Sequence, residues 1–205
     1  MPNTAAPAPI RALIVIDVQN IYADGPLLIE YPPVQQSLQR IGQAMDAARA
    51  AGIPIVVVQE DGFGRGTRGW ELHEVVRSRA FDHHVNKTLP SAFTHTGLAA
   101  WLAECQVNTL SVVGYMTHNC NASTLYEARH LGLQAEFLSD ATGAVPYANA
   151  AGRASAEEIH RVFSVVFESN FAAVVSTQQW VAAVQANHAL PRDSVMSSNQ
   201  RAKAG

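Results

Sequence analysis

A thiol, a carboxylate and an ammonium together make up the parts of nucleophilic catalysis at a carbonyl, and Cys120, Asp17 and Lys87 each lie at or just beyond the end of a predicted strand. Thr109-Leu-Ser-Val-Val-Gly114 is short, apolar and β-branched, whereas Ala122, Leu125, Ala128 and Arg129 recur at helical spacing. Cys120 therefore falls in the turn between a strand and a helix. There the unpaired N–H groups of the first helical turn and the positive end of the helix dipole favour a thiolate and can hold an oxyanion. Free cysteines are also common as small buried hydrophobes, and a lone acid or lysine is usually a cap or a solvated charge. The combination, rather than any single residue, carries the reading.

Positioning three such groups requires elements that end in one place. Arg11 to Asp17 is a continuous apolar run closed by a carboxylate, the pattern of a strand buried on both faces. Ile21 to Pro33 holds Gly25, Pro26, Pro32 and Pro33 and reads as a loop. Val34 to Ala51 has an amphipathic helical repeat closed by Gly52, and Ile53 to Val58 is a second strand. Gln59 to Gly69 is a glycine-rich loop without the Walker spacing, expected as a lid or pocket wall. A short helix within 70–80, a strand over 81–87 ending at Lys87, a helix over 97–105, the strand before Cys120 and the helix over 120–131 follow. Then come a strand over 134–138, a helix over 155–167 opened by a Ser-x-x-Glu capping box, and a strand over 172–176. Thr177 is expected to cap a last helix to His188. This alternation predicts an α/β, Rossmann-like fold in three layers: a parallel sheet with helices on both faces, and a ligand site beyond the carboxyl ends of the strands.

The chain of 205 residues, 48% hydrophobic, suits a single domain over 10–188, with flexible tails at 1–9 and 190–205. A net charge of -3 and scattered Lys and Arg argue against a nucleic acid partner, and no apolar run approaches the roughly 20 residues of a membrane span. Two cysteines, Cys105 and Cys120, form no disulfide framework. A cytoplasmic location is expected, with Cys105 as a buried structural thiol.

Leu13-Ile-Val-Ile-Asp-Val-Gln-Asn20, Lys87-Thr-Leu-Pro-Ser-Ala-Phe93 and Val113-Gly-Tyr-Met-Thr-His-Asn-Cys120 resemble, in order and spacing, segments of the isochorismatase-like cysteine hydrolase superfamily. The resemblance spans about residues 10 to 182. It implies a six-stranded parallel sheet, a Cys120-Asp17-Lys87 triad, and a cis peptide expected between Met116 and Thr117. Nicotinamidases of the superfamily hold a metal with an Asp-x-His after the second strand. Here Asp61 is present, but Phe63 stands at the histidine position. His73, His83 and His84 share neither i, i+4 spacing nor a strand end, so no metal or other cofactor is expected. True isochorismatases lack the nucleophilic cysteine, so Cys120 points to C–N hydrolysis. Gly66-Thr-Arg-Gly-Trp-Glu-Leu-His73 resembles segments of the metal-free hydrolases.

In this reading Lys87 favours the anionic forms of Asp17 and Cys120, and Asp17 takes the thiol proton and later delivers it to a leaving nitrogen. The backbone N–H groups of Thr117 and Cys120 are the expected oxyanion hole. His118, two residues from the cysteine, is the rival base. The substrate is expected among Tyr22, Phe63, Trp70, Phe93, Met116 and His118, with Arg65 or Arg68 available to a substrate carboxylate and Thr142 and Tyr147 as further candidates. His160 is expected to pack or cap on its helix. The predicted activity is hydrolysis of a small amide, lactam, imide or ureido compound by a homodimer or larger homo-oligomer. The alternatives are a non-catalytic member of the fold and a redox-sensing Cys120, although no resolving cysteine is evident. A dinucleotide-binding enzyme is disfavoured, since no G-x-G-x-x-G follows the first strand.

Overall fold

The computed structural model describes residues 8–204, so residues 1–7 and 205 of the two expected tails lie outside the described residues. Six strands form one parallel sheet in the order β3-β2-β1-β4-β5-β8. They are β1 (Arg11–Ile16), β2 (Ile55–Glu60), β3 (His83–Lys87), β4 (Thr109–Tyr115), β5 (Gln134–Gly143) and β8 (Ala173–Val175). The chain winds outward from β1 to β2 and β3, then returns to the other side of β1 for β4. The strand order thus reverses between β1 and β4, which opens a crevice at their carboxyl ends.

Both faces of the sheet are covered, which is why its central strands read as unbroken apolar runs. On β1, Ala12, Ile14 and Ile16 pack into one layer with Leu98 of α4 (Leu98–Glu104), Leu125 of α5 (Ala122–His130) and Phe167 of α6 (Ala156–Asn170). Leu13 and Val15 point the other way, onto Leu38, Ile41 and Met45 of α2 (Val34–Ala50) and Trp180 of α7 (Thr177–Gln185). No helix among the described residues is long and apolar enough to cross a membrane.

Several boundaries differ from those expected. One helical turn, α1 (Asn20–Ala23), forms before the breakers begin at Gly25, held by Asn20 N–H to Glu71 O and Ile21 N–H to Gly69 O. Strand two starts at Ile55, beyond Pro54, and runs on to Glu60, because β3 supplies a partner as far as the Glu60–Lys87 pair. α3 (Glu74–Arg77) is a single turn. β5 continues through the predicted turn to Gly143 by a register shift between Val112 and Gly114 of β4. An unanticipated hairpin, β6 (Tyr147–Asn149) and β7 (Gly152–Ala154), follows it. Ser176, not Thr177, caps α7, in a capping box with Gln179; the Thr177 hydroxyl is drawn instead to Asp140. The Ser155–Glu158 box on α6 forms as expected. The polar segment expected as a tail carries α8 (Val195–Ala204), reached through Asp193, whose N–H bonds Glu168 of α6.

Candidate active site

The crevice between β1 and β4 is shaped by a close approach of backbone. A Cβ on Gly114 would lie 2.0 Å from Ile16 O, and the residue has φ 102°, so only glycine fits. The Tyr115–Met116 peptide is cis, one residue earlier than expected. Residues Thr117–Asn121 then make a single π turn that leads into α5 and carries Cys120. Two side chains pin this turn. Asn121 Nδ2 donates to Gly114 O at 2.9 Å, and Thr124 Oγ1 donates to Cys120 O at 2.7 Å.

Asp17 leaves β1 with φ 50° and its N–H on Val58 O, which aims the carboxylate over the strand ends. Lys87 ends β3, two strands away from β1. Strands stand about 4.8 Å apart, so only a long side chain spans the gap. Its Nζ lies 2.8 Å from Asp17 Oδ2 and donates to Cys120 Sγ at 3.3 Å. Lys87 and Asp17 have wholly buried side chains, and Cys120 is 5% exposed. One ammonium therefore bridges the carboxylate and the sulfur.

A fourth charged group, absent from the sequence expectation, completes the cluster. Glu60 Oε2 receives a second hydrogen bond from Lys87 Nζ at 2.8 Å, while its Oε1 accepts from Gly62 N–H at 2.9 Å. Gln19 fixes the Glu60 backbone, its Nε2 donating to Glu60 O and its Oε1 accepting from Glu60 N–H. The signal was in the register: Glu60 lies beside Lys87 on neighbouring strands.

Burial raises the Asp17 carboxyl to about 6 against the pull of Lys87, and burial together with Asp17 raises the Cys120 thiol. Burial alone would lower the Lys87 ammonium, but Asp17 and Cys120 outweigh it and raise it. The resting arrangement is thus ammonium, carboxylate and protonated thiol. Lys87 pulls both Asp17 and Cys120 toward their anionic forms, as expected, but at the thiol burial and the Asp17 charge outweigh that pull.

Around this cluster the predicted pocket residues divide between the two faces of the sheet. Tyr22, Phe63 and Met116 pack on one side, with the Tyr22 and Phe63 rings edge to face at 5.5 Å. Phe93 shares the opposite layer with Cys120. Trp70 is half-buried and donates its indole N–H to Asp61. The His118 ring packs edge to face on Tyr147 at 4.9 Å, both its nitrogens are buried without a hydrogen bond, and burial lowers it to about 4. No hydrogen bond joins it to Cys120, which disfavours it as the rival base. His160 Nδ1 pairs with Thr117 Oγ1 at 2.8 Å, and Thr117 Oγ1 also donates to Thr142 Oγ1. Arg65 is taken up by Asp61, and Arg68 by Asp24, so neither is left free for a carboxylate. Cys105, expected to be buried, is exposed because it caps the end of α4 instead of lying on its inner face.

The three histidines weighed as metal ligands are occupied separately. His73 Nδ1 accepts from Val75 N–H, His83 stacks on Trp101, and His84 Nε2 bonds Gln59. Among the described residues no group of three or more His, Cys, Asp or Glu is placed to hold a metal ion.

A family model for the Isochorismatase domain matches residues 11–179, which includes all four members of the cluster. The chain belongs to the isochorismatase family. It is 62% identical to a protein from Burkholderia xenovorans LB400 whose crystal structure is described as that of a candidate isochorismatase, with a TM-score of 0.95 over 96% of this chain and 98% of that one. It is 36% identical to a streptothricin hydrolase of Streptomyces noursei over 64% of this chain, and spans 49%, about half, of that relative's length. It is 27% identical to a ureidoacrylate amidohydrolase of Stutzerimonas stutzeri over 64% of this chain and 68% of the other. Isochorismatase-family proteins thus include hydrolases, some of them amidohydrolases.

Proposed function

We propose that this chain is a cysteine hydrolase that cleaves a C–N bond in a small amide, lactam, imide or ureido compound through a thioester. The observation that carries the reading is the single ammonium of Lys87, in contact with both the Asp17 carboxylate and the Cys120 sulfur. A streptothricin hydrolase among its relatives supports hydrolysis, and a ureidoacrylate amidohydrolase supports the C–N assignment.

Asp17, raised to about 6, is a carboxylate at neutral pH and basic enough to accept a proton. It takes the Cys120 proton as Sγ attacks the carbonyl carbon. The cluster's net charge does not change in that transfer, which keeps its cost low in a buried site. The oxyanion is held by the Thr117 and Cys120 backbone N–H groups, each such donor being worth about 3–4 kcal/mol. Asp17 then gives its proton to the nitrogen as the C–N bond breaks, which leaves the acyl group on sulfur and the carboxylate regenerated. Water attacks the thioester as Asp17 accepts its proton, and the proton returns to Cys120 as the acid departs. The aromatic groups Tyr22, Phe63, Trp70 and Phe93, with Met116 and His118, line the substrate's path.

Ammonia release from a panel of small amides, lactams and ureido compounds tests this. Wild type should turn over at least one class with or without a chelator, and Cys120→Ala and Asp17→Asn should lose at least about 10³-fold. Turnover that persists in Cys120→Ala would overturn the reading.

A further inference from the structure

Glu60 is not needed for the steps above, and its placement calls for a use. Its carboxylate is fixed at both oxygens, by Lys87 Nζ and by Gly62 N–H. Its side chain is 13% exposed, whereas those of Asp17 and Lys87 are fully buried, so it is the member of the ionic cluster that faces outward. With one ammonium between two carboxylates beside a protonated thiol, the cluster carries one excess negative charge. The arginines of the adjoining glycine-rich loop are committed elsewhere, Arg65 to Asp61 and Arg68 to Asp24, and the unpartnered imidazole of His118 packs on Tyr147.

From this geometry we infer that Glu60 is a specificity-determining residue that turns anionic compounds away from Cys120, so that the site takes substrates uncharged around the scissile carbonyl. An anion approaching the sulfur meets this excess charge within low-dielectric walls, where like charges repel more strongly than in water. A neutral amide does not. The inference rests on Cys120 being the reactive thiol of the proposed function.

Two alkylating reagents of nearly the same size, neutral iodoacetamide and anionic iodoacetate, read the charge directly. Each forms an S–C bond at Cys120 with loss of iodide, the thiol proton passing to Asp17. The measurement uses the full chain with Cys105→Ser, which removes the exposed thiol, and mass spectrometry to follow Cys120. The iodoacetamide to iodoacetate rate ratio should exceed that of an unstructured cysteine peptide by on the order of tenfold. Glu60→Gln should narrow it by a similar factor, and Glu60→Asp, which retains the charge, should keep it wide. General loosening of the site would alter both rates and leave their ratio unchanged. A ratio equal to the peptide's, or one unchanged by Glu60→Gln, overturns the inference and leaves the hydrolase reading intact. A Cys120 inert to both reagents overturns the two together.

Discussion

Two buried ion pairs sit at opposite ends of the same sheet. At the amino end Arg11 meets Glu136 in a forked contact, Nε at 3.0 and 3.1 Å and Nη2 at 2.8 Å, and Glu136 Oε2 also accepts from Ser111 and from the Trp180 indole. At the carboxyl end Lys87 lies 2.8 Å from Asp17, yet neither Asp17 oxygen has a well-aligned hydrogen-bond partner. In the first pair both carboxylate oxygens accept several hydrogen bonds and Arg11 Nη2 also donates to His188 O, so the charges are held in place. The second is under-satisfied beside a thiol, and its carboxyl is raised into the range where it exchanges protons. Burial is common to both. What separates a structural pair from a reactive one is whether the hydrogen-bond inventory closes.

The contrast breaks most sharply by removing one partner from each pair. Lys87→Met should lower turnover by about 10³-fold or more, measured as ammonia release, while its stability loss is moderated because Asp17 can take up a proton. Glu136→Gln should do the reverse. It strands a guanidinium that cannot deprotonate and should cost about 3–5 kcal/mol in urea unfolding, with Cys120 alkylation in the folded protein nearly unchanged.

A subtler separation comes from pH. Activity should fall on the acid side of about 6, as the Asp17 base becomes protonated. Stability responds in two opposite ways. Asp17 binds its proton more tightly folded than unfolded, so acidification from pH 7 to 5 favours the native state through this group by about 1 kcal/mol. His160, lowered by burial to about 4, binds its proton less tightly folded, and the same acidification costs about 2 kcal/mol. Unfolding of Asp17→Asn and His160→Gln at both pH values checks the signs: the first should lose more stability than wild type on acidification, the second less. The smallest effect belongs to Cys105→Ser, which should move stability by no more than about 0.5 kcal/mol because the thiol is exposed.

Asp17 and Cys120 were legible in the sequence because each closes or follows an apolar stretch, and Lys87 because it ends a shorter, more polar strand; the parallel sheet brings such strand ends together. Glu60 was not, because it lies between the valines of β2 and a glycine-rich loop, and only the pairing with β3 shows that the strand continues to it. The aromatic residues were found by type, but their division between two layers depends on strand alternation in three dimensions. Cys105 misled because composition speaks of a residue's average habit, whereas the end of α4 decided its exposure. The segment after Leu190 is polar enough to read as a tail; its helix opens on Ser194, whose Oγ accepts from Ser197 N–H, and the approach to it is tied to α6 by Asp193 N–H to Glu168, far apart in sequence.

The wholly buried side chains of Lys87 and Asp17 also separate the two steps a substrate must pass. Dissolved ions screen charges over about 8 Å at physiological ionic strength, but they act through solvent. Added salt should therefore relax the rejection of anions at the outward-facing Glu60 while leaving the proton exchange between Asp17 and Cys120 untouched. Entry would respond to the medium, and the chemistry within would not.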